Sequence, residues 1–99
     1  MVESPAAHPV TAKMAISRKK ILQKIDGKRK AIEYHLSEHI PQHLGSATVD
    51  LMRYWHKEVS HLIDEMERWA LRLTKHDELL AQSSAYRKRL EEVLTRSEP

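Results

Sequence analysis

Cysteine is absent from these 99 residues, which excludes disulfides, cysteine-ligated zinc, iron–sulfur clusters and thiol nucleophiles. There are only two glycines, Gly27 and Gly45, so no glycine-rich loop can cradle a phosphate or an oxyanion. No apolar run approaches the ~20 residues that span a bilayer, so no integral membrane association is expected. The first residues lack the basic-then-apolar layout of a signal peptide. With no cysteine either, the expected location is cytoplasmic. The β-branched residues never alternate over four positions, so no strand competes with the helical patterns.

Apolar residues make up 40% of the chain, enough for one small folded unit and no more. Residues 1–13 hold two prolines and, beyond Met1, only two sizeable apolar side chains, both valine. They cannot bury enough surface to offset ordering entropy and read as a disordered tail. Met14 is an alternative translation start. Residues 14–96 form the expected single helical domain, and 97–99 a frayed end.

The first helix is predicted over about 17–40. Ile21, Leu22, Ile25, Ile32, Leu36 and Ile40 fall on one side, and Ser17 is a suitable N-cap. Pro41 lacks an N–H and Gly45 favours a helix end, so 41–46 reads as the break. The second helix, about 48–74, carries the strongest pattern in the chain. Met52, Trp55, Val59, Leu62, Met66, Trp69 and Leu73 are spaced 3, 4, 3, 4, 3, 4, an a/d heptad seam. Val49, Ile63 and Ala70 at e positions widen it. Ser46 or Thr48 is the expected cap, and Asp64 and Arg68 an i,i+4 pair. After Leu73 the phase slips by a residue. A third segment over about 77–96 follows, with Leu79, Ser83, Tyr86, Leu90 and Val93 or Leu94 on its apolar side. It either continues the second helix or, as the charges favour, follows a break near Thr74–Asp77, where a short capping box can form. The predicted fold is all-α: an antiparallel helical hairpin plus a third segment, with coiled-coil-like packing.

The heptad seam is the candidate surface for a protein partner or for self-association as a homodimer. Tryptophan and methionine are enriched at interfaces, and a small chain has difficulty enclosing two indoles alone. The leading expectation is a non-catalytic interaction or oligomerisation module, free-standing or as a regulatory accessory subunit. No small-molecule substrate and no cofactor are expected.

Charge supports an alternative. Residues 1–48 carry eight basic and four acidic side chains, whereas 49–99 carry nine and ten. Arg18, Lys19, Lys20, Lys24, Lys28, Arg29 and Lys30 supply the excess and could contact nucleic acid or an acidic partner. Against this, no aromatic residue lies among them in sequence to stack on a base. An amphipathic helix on anionic membrane ranks last, because Glu33 and Glu38 lie on it and Tyr34 is its one bulky wedge.

Seven histidines remain to be explained. His35, His39 and His43 are spaced i, i+4, i+8, and His35 to His39 matches the H-x-x-E-H pattern of zinc proteases. A protease would need a further ligand and a cleft, so the bland reading is surface histidines near a turn. His35 and His39 are the residues to watch for metal binding. Glu58 and His61 match one E-x-x-H motif of di-iron bundles, but a bundle needs two, and both residues point away from the seam.

Overall fold

The structure, a computed structural model, describes residues 17–95. The expected tail at 1–13, Met14 and the frayed end at 97–99 lie outside the described residues. The described chain is helical, with no strand.

Helix α1 runs over Arg18–Tyr34. Ser17 has extended backbone angles and its Oγ accepts the Lys20 N–H at 3.2 Å, so the expected N-cap is in place. The helix does not stop at Ile40 as the sequence suggested. It widens into a π-turn over His35–His39, in which the Ile40 N–H reaches back five residues to the His35 carbonyl. It then re-forms as a short helix α2, Ile40–His43, with Pro41 inside it. In a regular helix the Pro41 ring would press on the carbonyl four residues earlier. The widened turn lies immediately before that point and gives the ring room. A 3-10 turn, Leu44–Ser46, and an extended Ala47 then reverse the chain.

The π-turn also explains an unusual spacing. Ile32, Leu36 and Ile40 are separated by four and four residues, yet all three are buried. Over a regular helix that spacing drifts off one face. One extra residue per turn lets four residues nearly complete a revolution, so the line is kept.

Helix α3, Val49–Ala70, is the centre of the molecule. Thr48, rather than Ser46, caps it and accepts the Leu51 N–H at 3.1 Å. It ends at Ala70, earlier than expected, and the chain turns through residues 71–76 into α4, Asp77–Thr95. The break near 74–77 is therefore real, but Thr74 does not form the expected capping box. The first bond of α4 is accepted by the His76 carbonyl, from Leu80 at 2.9 Å, which puts the cap two residues later. The His76 ring donates through Nδ1 to the Leu73 carbonyl at 2.9 Å and ties the turn down.

Helices α1 and α4 pack on α3 from two sides, each antiparallel to it. Lys28 pairs with Glu65 at 2.9 Å and His39 meets Trp55 edge-on at 5.8 Å along the α1 side. On the α4 side Ser83 donates to Glu67 at 2.5 Å, Arg87 to both Asp64 and Glu67 at 2.7 Å, and His56 faces Glu91 at 2.8 Å. Asp64 thus pairs across to Arg87, not with Arg68 as the helix spacing suggested. Arg89 of α4 reaches Glu33 at 2.9 Å, closing the bundle toward the π-turn.

Two-sided coverage changes the core stripe. Trp55, Val59, Ile63, Met66, Ala70 and Leu73 are buried, whereas Met52, Leu62 and Trp69 are only partly so. The e positions Ile63 and Ala70 are fully enclosed because α4 needs them. The stripe is broader than a coiled-coil seam.

Two stability measurements check this packing. Ile63→Ala, at a site with no exposure, should cost about 2–5 kcal/mol in denaturant unfolding, with Leu62→Ala clearly milder. Gly27 is exposed mid-helix with ordinary helical φ and nothing within 4 Å of an added Cβ, so Gly27→Ala should stabilise by about 0.5–1 kcal/mol.

Candidate functional site

The seam residues are largely consumed by the fold itself. Trp55 is 3% exposed, Val59 and Met66 are fully buried, and Leu73 is 7% exposed. Met52, Leu62 and Trp69 keep partial exposure while packing against the same core. Three helices of one chain therefore enclose Trp55, while Trp69 stays only partly buried.

The basic cluster divides in two. Lys28 is held by Glu65 at 2.9 Å and Lys30 by Asp26 at 3.2 Å, while Arg29 is half-buried with its Nε unpaired inside. The 28–30 half is thus tied into the bundle. Arg18, Lys19, Lys20 and Lys24 are exposed and make no ion pair among the described residues. The antiparallel hairpin brings the 71–76 turn to Arg18 and Lys24, adding Arg72 and Lys75, which are likewise exposed and without an ion pair among the described residues. Arg18, Ile21, Arg72, Leu73, Thr74 and Lys75 line one groove of about 420 Å³. A neighbouring groove of about 300 Å³ is lined by Glu65, Arg68, Trp69 and Arg72, so Arg72 borders both.

The fold also supplies what the linear sequence lacked, an aromatic ring among the cations. The Lys24 Nζ lies 6.0 Å from the Trp69 ring centre and the Arg72 guanidinium 5.1 Å from it. Glu65, the one carboxylate among the described residues that line these two grooves, is engaged by Lys28 at 2.9 Å and His61 at 3.6 Å. The Lys28 hydrogen bond, with the charges of Lys28, His61 and Arg68, holds its carboxyl below the usual range.

This end of the bundle runs against helix electrostatics. The first turn of α1 contains no acid and three cations, at the positive end of the helix dipole. Helices α3 and α4 follow the ordinary rule, with Asp50 in one first turn and Asp77 and Glu78 in the other.

Three of the histidines gather at the opposite end. The π-turn aligns His35, His39 and His43 into a column with ring centres 5.1 and 5.4 Å apart, and Tyr34 stacks on His39 at 5.8 Å. His35 Nδ1 and His39 Nδ1 approach to 3.1 Å. At that separation one ring donates and the other accepts, a pairing available only while at least one is neutral. No group of three or more histidine and acidic residues is arranged to hold a metal ion among the described residues. Glu58 and His61, the E-x-x-H pair, are exposed on the outer face of α3, where they line a groove with Tyr54.

Sequence reasoning missed the π-turn and the Trp69 platform. The four-four spacing of both apolar and histidine positions just before a proline carried the first signal. The second needed only the antiparallel register that places Lys24 beside Trp69. No family model, curated protein or solved structure matches the chain.

Burial holds the His35 pKa below its ordinary value, the nearby His39 adds to this, and Glu58 on α3 opposes it. A proton therefore binds His35 more readily in the unfolded chain. The stability tied to the neutral ring is present above the ordinary histidine pKa and is lost as pH falls through the depressed one. Thermal melts should show Tm declining on acidification below about pH 6.5, with a shallower decline in His35→Gln.

Proposed function

We propose that the protein is a non-catalytic helical binding module whose docking surface is the basic end of the bundle and whose partner is a polyanion. The observation that carries this reading is the meeting of Arg18 with Arg72 and Lys75 around one groove and of Lys24 with Arg72 at Trp69, with Lys19 and Lys20 exposed in the same end of α1 and no carboxylate paired to any of the six among the described residues. Several acids elsewhere in the bundle do hold cations: Asp64 and Glu67 share Arg87, Glu33 holds Arg89, and Asp26 holds Lys30. Leaving six cations together, three of them against the α1 dipole, costs stability unless an anion neutralises them. The tryptophan–methionine ridge supports the same reading by its position. Its buried members hold the three helices in register, and Trp69, at its end, faces the cations.

Fluorescence anisotropy with labelled heparin tests the reading. Binding should be clear at about 50 mM salt and fall steeply by about 300 mM, as exposed charges become screened. Reversing two exposed charges of the larger groove that pair with no ring or carboxylate among the described residues, Arg18→Glu with Lys75→Glu, should weaken it at least tenfold without lowering the thermal melt. Absence of binding at the lower salt, or full binding by the charge-reversed chain, would overturn it.

A further inference from the structure

Resting on the polyanion reading, we propose that the partner is single-stranded nucleic acid, with phosphates on Arg18, Arg72 and Lys75 and a base against Trp69. Two adjoining grooves are the basis. The larger, about 420 Å³, sets three cations around a floor of Ile21 and Leu73, and the smaller, about 300 Å³, presents the partly buried indole edge of Trp69. Arg72 borders both grooves and lies 5.1 Å from the Trp69 ring centre, so backbone charge and base face meet at one side chain. Sequence-tolerant strand binders combine these two elements, a cationic track and an aromatic platform.

The competing polyanions use this surface less well. An anionic membrane needs a broad apolar face beside the cations, and the turn offers one prominent wedge, Leu71 at 57% exposure. A duplex is read by an element laid along a groove, whereas these cations cluster at a bundle end around concave slots. An acidic peptide would satisfy the charges but has no particular use for an exposed indole among them. Asp77 and Glu78 follow directly after Lys75 and His76 and bound the patch on the α4 side, limiting the track to a few nucleotides.

The two indoles make the test specific, because Trp55 is 3% exposed and Trp69 is not buried. The whole chain is titrated with oligothymidylate of about fifteen nucleotides at about 50 mM salt, following tryptophan emission. Saturable quenching is expected, with affinity at least tenfold above that for a duplex of equal length. Trp69→Leu should abolish the quenching and weaken binding, read by anisotropy, roughly five- to a hundredfold. Trp69→Phe should retain most of the affinity. Should the Leu variant fold poorly, Arg72→Gln keeps the test open, with weaker binding and a salt slope reduced by about one. Heparin binding with no preference for the single strand would overturn this inference and leave the polyanion reading standing. Failure of both ligands would overturn both. Tighter binding to phosphatidylserine vesicles than to the oligonucleotide would overturn the nucleic-acid assignment in favour of a membrane surface.

Discussion

Burial of α3 on two sides is the constraint from which the rest follows. Val59, Ile63 and Met66 form one fully buried stripe, flanked on one side by Trp55, Glu65 and Trp69, which meet α1, and on the other by Asp64 and Glu67, which meet α4. The d and g positions Trp55, Trp69 and Glu65 serve α1, and the e, f and b positions His56, Asp64 and Glu67 serve α4, which reaches them because the chain turns back after Ala70. A chain this short has little core to spare. Using both flanks of one central helix lets Ile25, Ile32 and Leu36 of the first arm and Tyr86 and Leu90 of the third share the same partner.

The polar contacts between helices fix which residues meet. Ser83 is fully buried, and its hydroxyl is satisfied by Glu67 and by the Leu80 carbonyl. Arg87 reaches Asp64 and Glu67 together, and both hydrogen bonds raise its pKa. Each group is partly exposed, so the gain in stability is modest. Their larger effect is on alignment, because sliding α4 by one turn would leave Ser83 buried without its carboxylate. The same register sets Arg72 and Lys75 against the start of α1. Core packing and surface chemistry are therefore coupled through the antiparallel alignment.

The all-α class, the hairpin and the third segment were legible because apolar periodicity is a local property read over two or three turns. The caps at Ser17 and Thr48 were legible for the same reason. Three features were not. The π-turn was hidden because Pro41 argues for termination in any rule that assumes one helix type. The end of α3 at Ala70 was hidden because Leu73 stays in the core from within the turn, keeping the heptad spacing beyond the helix. The split of the basic cluster was hidden because Lys28 is neutralised by Glu65, thirty-seven positions away in a partner helix. Ion pairing between distant segments is decided by register, which one segment alone does not contain.

The places where local rules fail are informative in themselves. A sequence selected for stability alone would put an acid in the first turn of α1, as it does in α3 and α4. It would not keep Gly27 mid-helix with open space around its Cα. The glycine breaks its rule in isolation and brings no other chemistry with it. The cations break theirs alongside an indole, two grooves and a turn that adds two more positive charges. It is this coincidence at one end of the bundle, and not any one feature of it, on which the proposed binding surface rests. The histidine column at the other end, with its shared Nδ1 contact, is accounted for by the π-turn that aligns it.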